Sequence, residues 1–432
     1  TTINNQDKTI TENGQYAADA SYTGLGTVTV DVSGSGAVVP KDINFYDMTD
    51  GAVLVASYNL SDLPLSALPD TPTHNGLTSQ GWNYTLAQVN ALTGKADIGA
   101  VYKTTSGDTE FDITLTAATG LDVTLALYKT GSGTMIIDWG DGATSTSDTT
   151  GQQNFAHTYG TVGDYTIKVQ FTGAYYLRTS VNGNIFVTAA DIPNYSLKMA
   201  RLSEYVTSIG GYAFYYCYSL TSITIANSIT KIDDWSIRVC ISLGSITIPN
   251  SVTNFGTGVF YNNFALKLIS LPKTITAMGY QLFNYCTSMT HIVVPFDFAP
   301  DFGNCTTLKE VYLPENIKSL ANSMFYYCHS LKIVNIPSMV TNIASQAFFY
   351  CKSLIRLLMP PNLTTIDSSA FSSCNAIIEY DFSACTSVPT LAAASAFSGI
   401  NALCKIKVPA ALYDTWIAAT NWSTYASYIV AV

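Results

Sequence analysis

All nine cysteines of this chain lie at or beyond position 217, and most of them keep a fixed beat. Cys217 and Cys240 are 23 residues apart, and Cys305, Cys328, Cys351 and Cys374 follow one another at 23. The step from Cys240 to Cys286 is 46, twice the period, with Asn263 at the skipped place. Between Cys217 and Cys374, only the step from Cys286 to Cys305, at 19, is short. A period in the twenties marks a solenoid, because one coil cannot bury its apolar face alone and stacked coils can.

The rest of each repeat falls into line. An aromatic stands three residues before the beat: Phe214, Phe260, Phe283, Phe302, Phe325, Phe348 and Phe371. Three after it comes Leu220, Leu243, Leu266, Met289, Leu308, Leu331, Leu354 or Ile377. Two alternating apolar residues follow, such as Ile223 and Ile225 or Val334 and Ile336, and a proline often closes the run, as at Pro249 and Pro337. Alternation of this kind is a short strand with one face inward. Nine such strands, from Ile223 to Val408, spaced about 4.8 Å apart, predict a parallel sheet roughly 38 Å long. The short step should pinch or bend the stack. The cysteines read as buried small apolar groups, since no C-x-x-C or paired histidine accompanies them.

The segments AFYYCYSLTSITIANSITKI and MFYYCHSLKIVNIPSMVTNI carry a pattern that closely resembles the BspA-like leucine-rich repeats of bacterial surface proteins. The resemblance covers roughly residues 195–410, and the aromatic stretch after Pro409 resembles that family's terminal cap. It implies a solenoid over residues 191–409 and a cap over 410–432, with binding on the outward sheet.

Three smaller units precede the repeats. Residues 1–36 read as an alternating β module with a Ser-Gly linker, and resemble short modules of Gram-positive phage and prophage tail-associated proteins. Residues 37–103, with Phe45-Tyr46-Asp47, Asp50-Gly51 and Gly81-Trp82, resemble the Listeria–Bacteroides repeat, a β-grasp-like module in which Trp82 would anchor the core. Residues 104–190 carry W-G-D-G at Trp139 to Gly142, His157-Thr158-Tyr159 and Gly163-Asp164-Tyr165, and resemble the polycystic-kidney-disease (PKD) domain, an immunoglobulin-like β-sandwich. That resemblance implies core places for Trp139 and Tyr165. Some members bind calcium, which makes Asp138, Asp141 and Asp164 candidate ligands. The expected fold class is mainly β and multidomain, a leucine-rich-repeat solenoid of 23-residue coils carried on β spacers.

Chemistry is scarce. The four histidines have no H-E-x-x-H or G-x-S-x-G setting, and Asp233-Asp234 reads as solvated surface rather than a catalytic pair. No enzyme activity, no cofactor and no metal are expected. A net charge of −10 argues against nucleic acid and anionic membranes, and no run of 18 apolar residues spans a bilayer. Charged residues are only 12% of the chain while tyrosines number 28, so recognition would work through hydroxyls, amides and rings. Candidate binding residues are Tyr215, Tyr261 and Tyr326 in an aromatic row, Tyr312, Asn335 and Arg356 on the outward sheet, and Lys309 and Lys332 in a lysine line that could meet an anionic ligand. The expected role is recognition or adhesion outside the cell, on a bacterial surface, toward a cell-surface protein or glycan. The alternative is a phage tail-tip or fibre protein recognising its host, favoured by the opening module and by the lack of a secretory leader pattern in the sequence. The N-terminal region would serve homo-oligomer or virion assembly.

Overall fold

The computed structural model describes residues 40–177, 186, 195–297 and 300–432. The β segment and linker expected over 1–36 lie outside these residues, as does the expected boundary near 190. The fold is mainly β, and its C-terminal half is a solenoid of about 10 turns.

Residues 40–104 form a small module. Strands Ile43–Asp47 and Val53–Tyr58 pair antiparallel, and Ala96–Thr104 runs parallel beside the first. Leu77–Trp82 pairs antiparallel with the far side of Ala96–Thr104. The helix Leu86–Asn90 is started by a capping box, in which Thr85 Oγ1 accepts the Gln88 N–H and Gln88 Oε1 accepts the Thr85 N–H. Trp82 lies edge-on to Phe45 at 5.0 Å and donates its indole N–H to the Pro69 carbonyl at 2.7 Å, so it anchors this unit's core.

Two β layers follow, and in Thr109–Leu115 burial alternates residue by residue, as for a strand with one face on a core. Trp139 is buried between them, stacked on His157 at 4.9 Å, and Tyr159 donates its hydroxyl to the Trp139 carbonyl at 2.8 Å. Gly140 turns the W-G-D-G corner at φ +81°, and a Cβ there would sit 2.6 Å from the Thr166 carbonyl oxygen. Conformation and space both demand glycine. Tyr165, expected in the core, is only half-buried: it leans on Tyr159 at 4.2 Å, and Tyr159 takes the central place.

Neither layer stops at the repeats. One sheet runs from Thr144–Ser147 through Met135–Asp138, Gly163–Gln170, Thr109–Leu115 and Leu197–Arg201 to Ser222–Thr224. The other runs from Gly151–Thr158 through Asp122–Lys129, Tyr175–Leu177, Val206–Ile209, Lys231–Ile232 and Asn254–Phe255 to Ala277–Met278. One apolar cluster extends from Phe111 to Ile429. The sandwich is therefore continuous with the solenoid and lids its first coil. The reason is general: a first coil without a lid shows an unpaired edge and an open core.

Nine strands carry the outward sheet from Ser222–Thr224 to Lys405–Val408, as the repeat predicts, and Leu197–Arg201 and Ile429–Ala431 add a parallel neighbour at each end. Inside, Phe260, Phe283, Phe302, Phe325, Phe348, Phe371 and Phe397 stack in one file with centroids 5.1–5.7 Å apart. All nine cysteines are buried, and none is in a disulfide. Cys240, Cys286, Cys305, Cys328, Cys351 and Cys374 each donate to the carbonyl of a phenylalanine one coil earlier, at 2.9–3.2 Å. Burial pushes the thiols of Cys305 and Cys374 up to about 12. They are packing groups with little thiolate character.

The residue before each of the eight beat positions from 217 to 374 turns a corner in left-handed backbone: Tyr216, Val239, Asn262, Tyr285, Asn304, Tyr327, Tyr350 and Ser373 have φ of 59–64°. Such backbone costs roughly 1–2 kcal/mol per residue, which the stack must offset. The short step also leaves its mark. On the second side, short strands run to Ala277–Met278 and resume at Ser319–Leu320, with none described between. At the far end Trp416 and Trp422 bury against Phe382 and close the core.

Candidate functional site

Two rows of side chains point outward from the solenoid's main sheet. In its first three coils they are mostly small: Ser222 and Thr224, Ser245 and Thr247, then Ser270. The sequence analysis expects the outward sheet to be open for binding, and over these coils the structure corrects it. All five are buried, because the strand Ala96–Thr104 of the N-terminal module crosses the strands that carry them. Gly99 permits the close approach, since a Cβ there would meet Thr247 Cγ2 at 2.6 Å and Ser270 Cβ at 2.9 Å. Asn83 Nδ2 donates to the Ile248 carbonyl at 2.9 Å and to Ser270 Oγ at 2.8 Å. Ser270 Oγ donates to the Asp97 carbonyl at 2.7 Å, and Ser222 Oγ to the Thr49 carbonyl at 2.6 Å. A readable signal existed: serines and threonines repeated on the outward rows, and a glycine inside a strand.

At the fourth and fifth coils the outward residues grow and the module lifts away. His291 Nε2 lies 3.1 Å from Asp97 Oδ2. Burial favours the neutral imidazole, but the hydrogen bond and attraction of Asp97, with Glu310 behind it, outweigh that and hold the His291 pKa above the ordinary histidine value. Lys95 Nζ donates to the Tyr312 hydroxyl at 3.0 Å and sits over its ring, and that hydroxyl donates to Glu310 at 2.8 Å. A cleft opens on either side of the Lys95–Tyr312 contact. One, of about 440 Å³, is lined by Lys41, Tyr46, His291, Lys309 and Glu310 among others. The other, of about 360 Å³, is lined by Tyr84, Thr93, Lys273, Asn316 and Asn335 among others. Beyond the clefts the sheet is uncovered, and Ile333, Ile355 and Leu358 stand exposed around Arg356.

The eight candidate residues do not converge on one place. Tyr312, Asn335, Arg356, Lys309 and Lys332 belong to the outward sheet or its edge. Tyr312 is held by the module, and Asn335 is tied to both the N–H and the carbonyl of Leu313, each at 2.7 Å. Arg356, Lys309 and Lys332 are exposed. Tyr215, Tyr261 and Tyr326 instead precede the left-handed corner residues Tyr216, Asn262 and Tyr327, and are half-buried. There the rings stack on one another, Tyr326 on Phe349 at 5.2 Å and Tyr327 on Tyr350 at 4.7 Å, while Arg238 lies 5.1 Å from both Tyr215 and Tyr261. Rings stacked this way offer edges to a ligand and keep their faces for each other.

The three calcium candidates are each engaged within the sandwich. Asp138 accepts the Gly140 N–H, Asp141 takes the Ala143 N–H and His157, and Asp164 takes the Thr114 hydroxyl. They are turn and strand fasteners, and no group of three or more metal-ligating side chains occurs among the described residues. No described helix is long and apolar enough to cross a membrane.

Comparison with known proteins bears on the C-terminal half. Residues 193–300 and 299–404 match the BspA type leucine rich repeat region. Solved structures similar to the chain include a leucine-rich repeat protein from Bacteroides ovatus (22% identity, 54% of this chain and 66% of that one, TM-score 0.44). Others are a leucine rich cell surface protein from Faecalibacterium prausnitzii (23%, 47% and 69%, TM-score 0.29) and the pneumococcal vaccine antigen PcpA (17%, 52% and 74%, TM-score 0.31). The chain thus spans just under two thirds of the Bacteroides protein. No curated protein matches the sequence. Residues 193–404 are accordingly a BspA type leucine-rich repeat region.

Proposed function

We propose that this protein is a non-catalytic recognition or adhesion protein, and that the uncovered part of its sheet contacts a protein or glycan on a cell surface. One observation carries the reading. Ile333 and Leu358 are 48% and 66% exposed on a rigid sheet whose other half is sealed. Apolar side chains standing in water around an arginine are the composition of a protein-contact patch. BspA type repeats are typical of bacterial surface proteins, which supports a place outside the cell.

The test is binding of the full chain to whole cells and to a glycan array, compared with a variant carrying Arg356→Ala and Leu358→Asp. The parent should bind and the variant should lose at least tenfold in affinity. A folded parent that binds neither, or a variant that binds as well as the parent, refutes the proposal. The full chain is needed, because a fragment starting at residue 191 would bare the seat of the module.

A further inference from the structure

We propose that the cleft beside Lys273, between module and solenoid, binds an acidic saccharide whose carboxylate meets the Lys273 ammonium. The proposal deepens the recognition reading above and rests on it. The cleft, of about 360 Å³, has module residues on one wall and solenoid residues on the other. Its size falls within the roughly 300–1,000 Å³ of small-molecule sites.

Lys273 sets the ligand's charge. Its ammonium lies 5.7 Å from the centre of the Tyr84 ring, in a half-buried position. Asp297 and Glu315 also line the cleft, yet neither forms an ion pair with Lys273 among the described residues. Burial alone acts on its pKa, and lowers it. A desolvated ammonium without a counter-charge is stabilised by any anion that reaches it. Lys95, on the opposite wall, adds a second cation.

The remaining lining sets the ligand's class. Tyr312 supplies aromatic surface, while the exposed Thr93 and Asn316 supply hydroxyl and amide groups, the mixture that suits a polyhydroxylated ring. An extended peptide fits less well. The strand Glu310–Tyr312 is paired on both sides, with His291–Val293 and with Ile333–Val334, so no free backbone edge is offered for strand addition.

The test is calorimetry on the full chain with oligogalacturonate and sialyllactose, against neutral oligogalactoside and lactose, and against a glutamate-rich peptide. An acidic saccharide should bind at least tenfold more tightly than its neutral counterpart. Lys273→Gln should cut that affinity at least tenfold, and Lys273→Arg should keep most of it, with circular dichroism reporting native folding throughout. Absence of binding to either acidic sugar overturns the proposal, as does equal binding of the neutral ones, an unaffected Lys273→Gln variant, or a preference for the peptide. Cell binding that survives in a parent blind to acidic sugars would sink this inference alone and leave the wider reading standing.

Discussion

Replacing Gly99 with alanine should lift the module from the sheet while leaving both parts folded. The glycine has no positive φ, so its strand accepts a side chain. The added methyl has nowhere to go, lying 2.6 Å from Thr247 Cγ2 and 2.9 Å from Ser270 Cβ. Overpacking of this kind costs about 1–3 kcal/mol. The seam's hydrogen bonds, from Asn83 to Ile248 and Ser270 and from Ser270 to Asp97, would misalign with it, each contributing about 0.5–1.5 kcal/mol. A total near 3 kcal/mol lowers the docked population relative to the undocked by roughly a hundredfold. Ser245, 3% exposed beneath the module, provides the reporter as Ser245→Cys. The nine native thiols are buried, so background labelling is low. A thiol reagent should modify Cys at that position about a hundredfold faster when Gly99→Ala is present, with an unchanged melting curve. Equal labelling rates would refute the docking argument, and loss of the melting transition would refute the claim that the seam alone is affected.

The Asp97 pair makes docking pH-dependent. Because the docked His291 has a raised pKa, its contribution is full below the ordinary histidine value and fades as pH rises through the docked one. Asp97, Glu310 and Lys95 are the charged groups facing it. Small-angle scattering should therefore show more undocked protein at alkaline than at mildly acidic pH, and His291→Gln should flatten that dependence. In the buried cysteine file, Asn263 Oδ1 accepts the Cys240 N–H at 2.8 Å while its Nδ2 has no partner. Asn263→Cys should raise stability by about 1 kcal/mol in denaturant melts, since an unpaired buried donor costs about 1–3 kcal/mol and exceeds the one bond lost; a destabilised variant would count against this. Phe325 is stacked on Phe302 and Phe348, so Phe325→Ala should lower stability by about 3–5 kcal/mol in the same melts. A loss below 1 kcal/mol would mean the file is not the solenoid's main support.

The solenoid was legible because its signal is periodic. Each coil repeats Phe214 or its equivalent, the thiol and the alternating pair, and nothing outside the coil is needed to read them. Trp82 and Trp139 were legible for a similar reason, as large apolar residues beside fixed turn glycines. What escaped is the meeting of distant segments. Asn83 and Ser270 are 187 residues apart in sequence and touch only after two independent surfaces have formed. Nothing in its own repeat sets Lys273 apart, because its half-buried position depends on Tyr84 from another unit. The tyrosines of the corner rows were noticed as a set, but that their faces pair with one another follows from coil spacing and left-handed backbone rather than from composition.

The shared sheets between sandwich and repeats have a mechanical consequence. Load entering at the sandwich passes sideways from strand to strand through backbone hydrogen bonds, with no joint along the way at which the two could swivel. Whatever fixes the orientation of the first strands also fixes the direction in which Leu358 and Arg356 face. The protein behaves as a stiff arm, and its reach is set by how many coils it stacks.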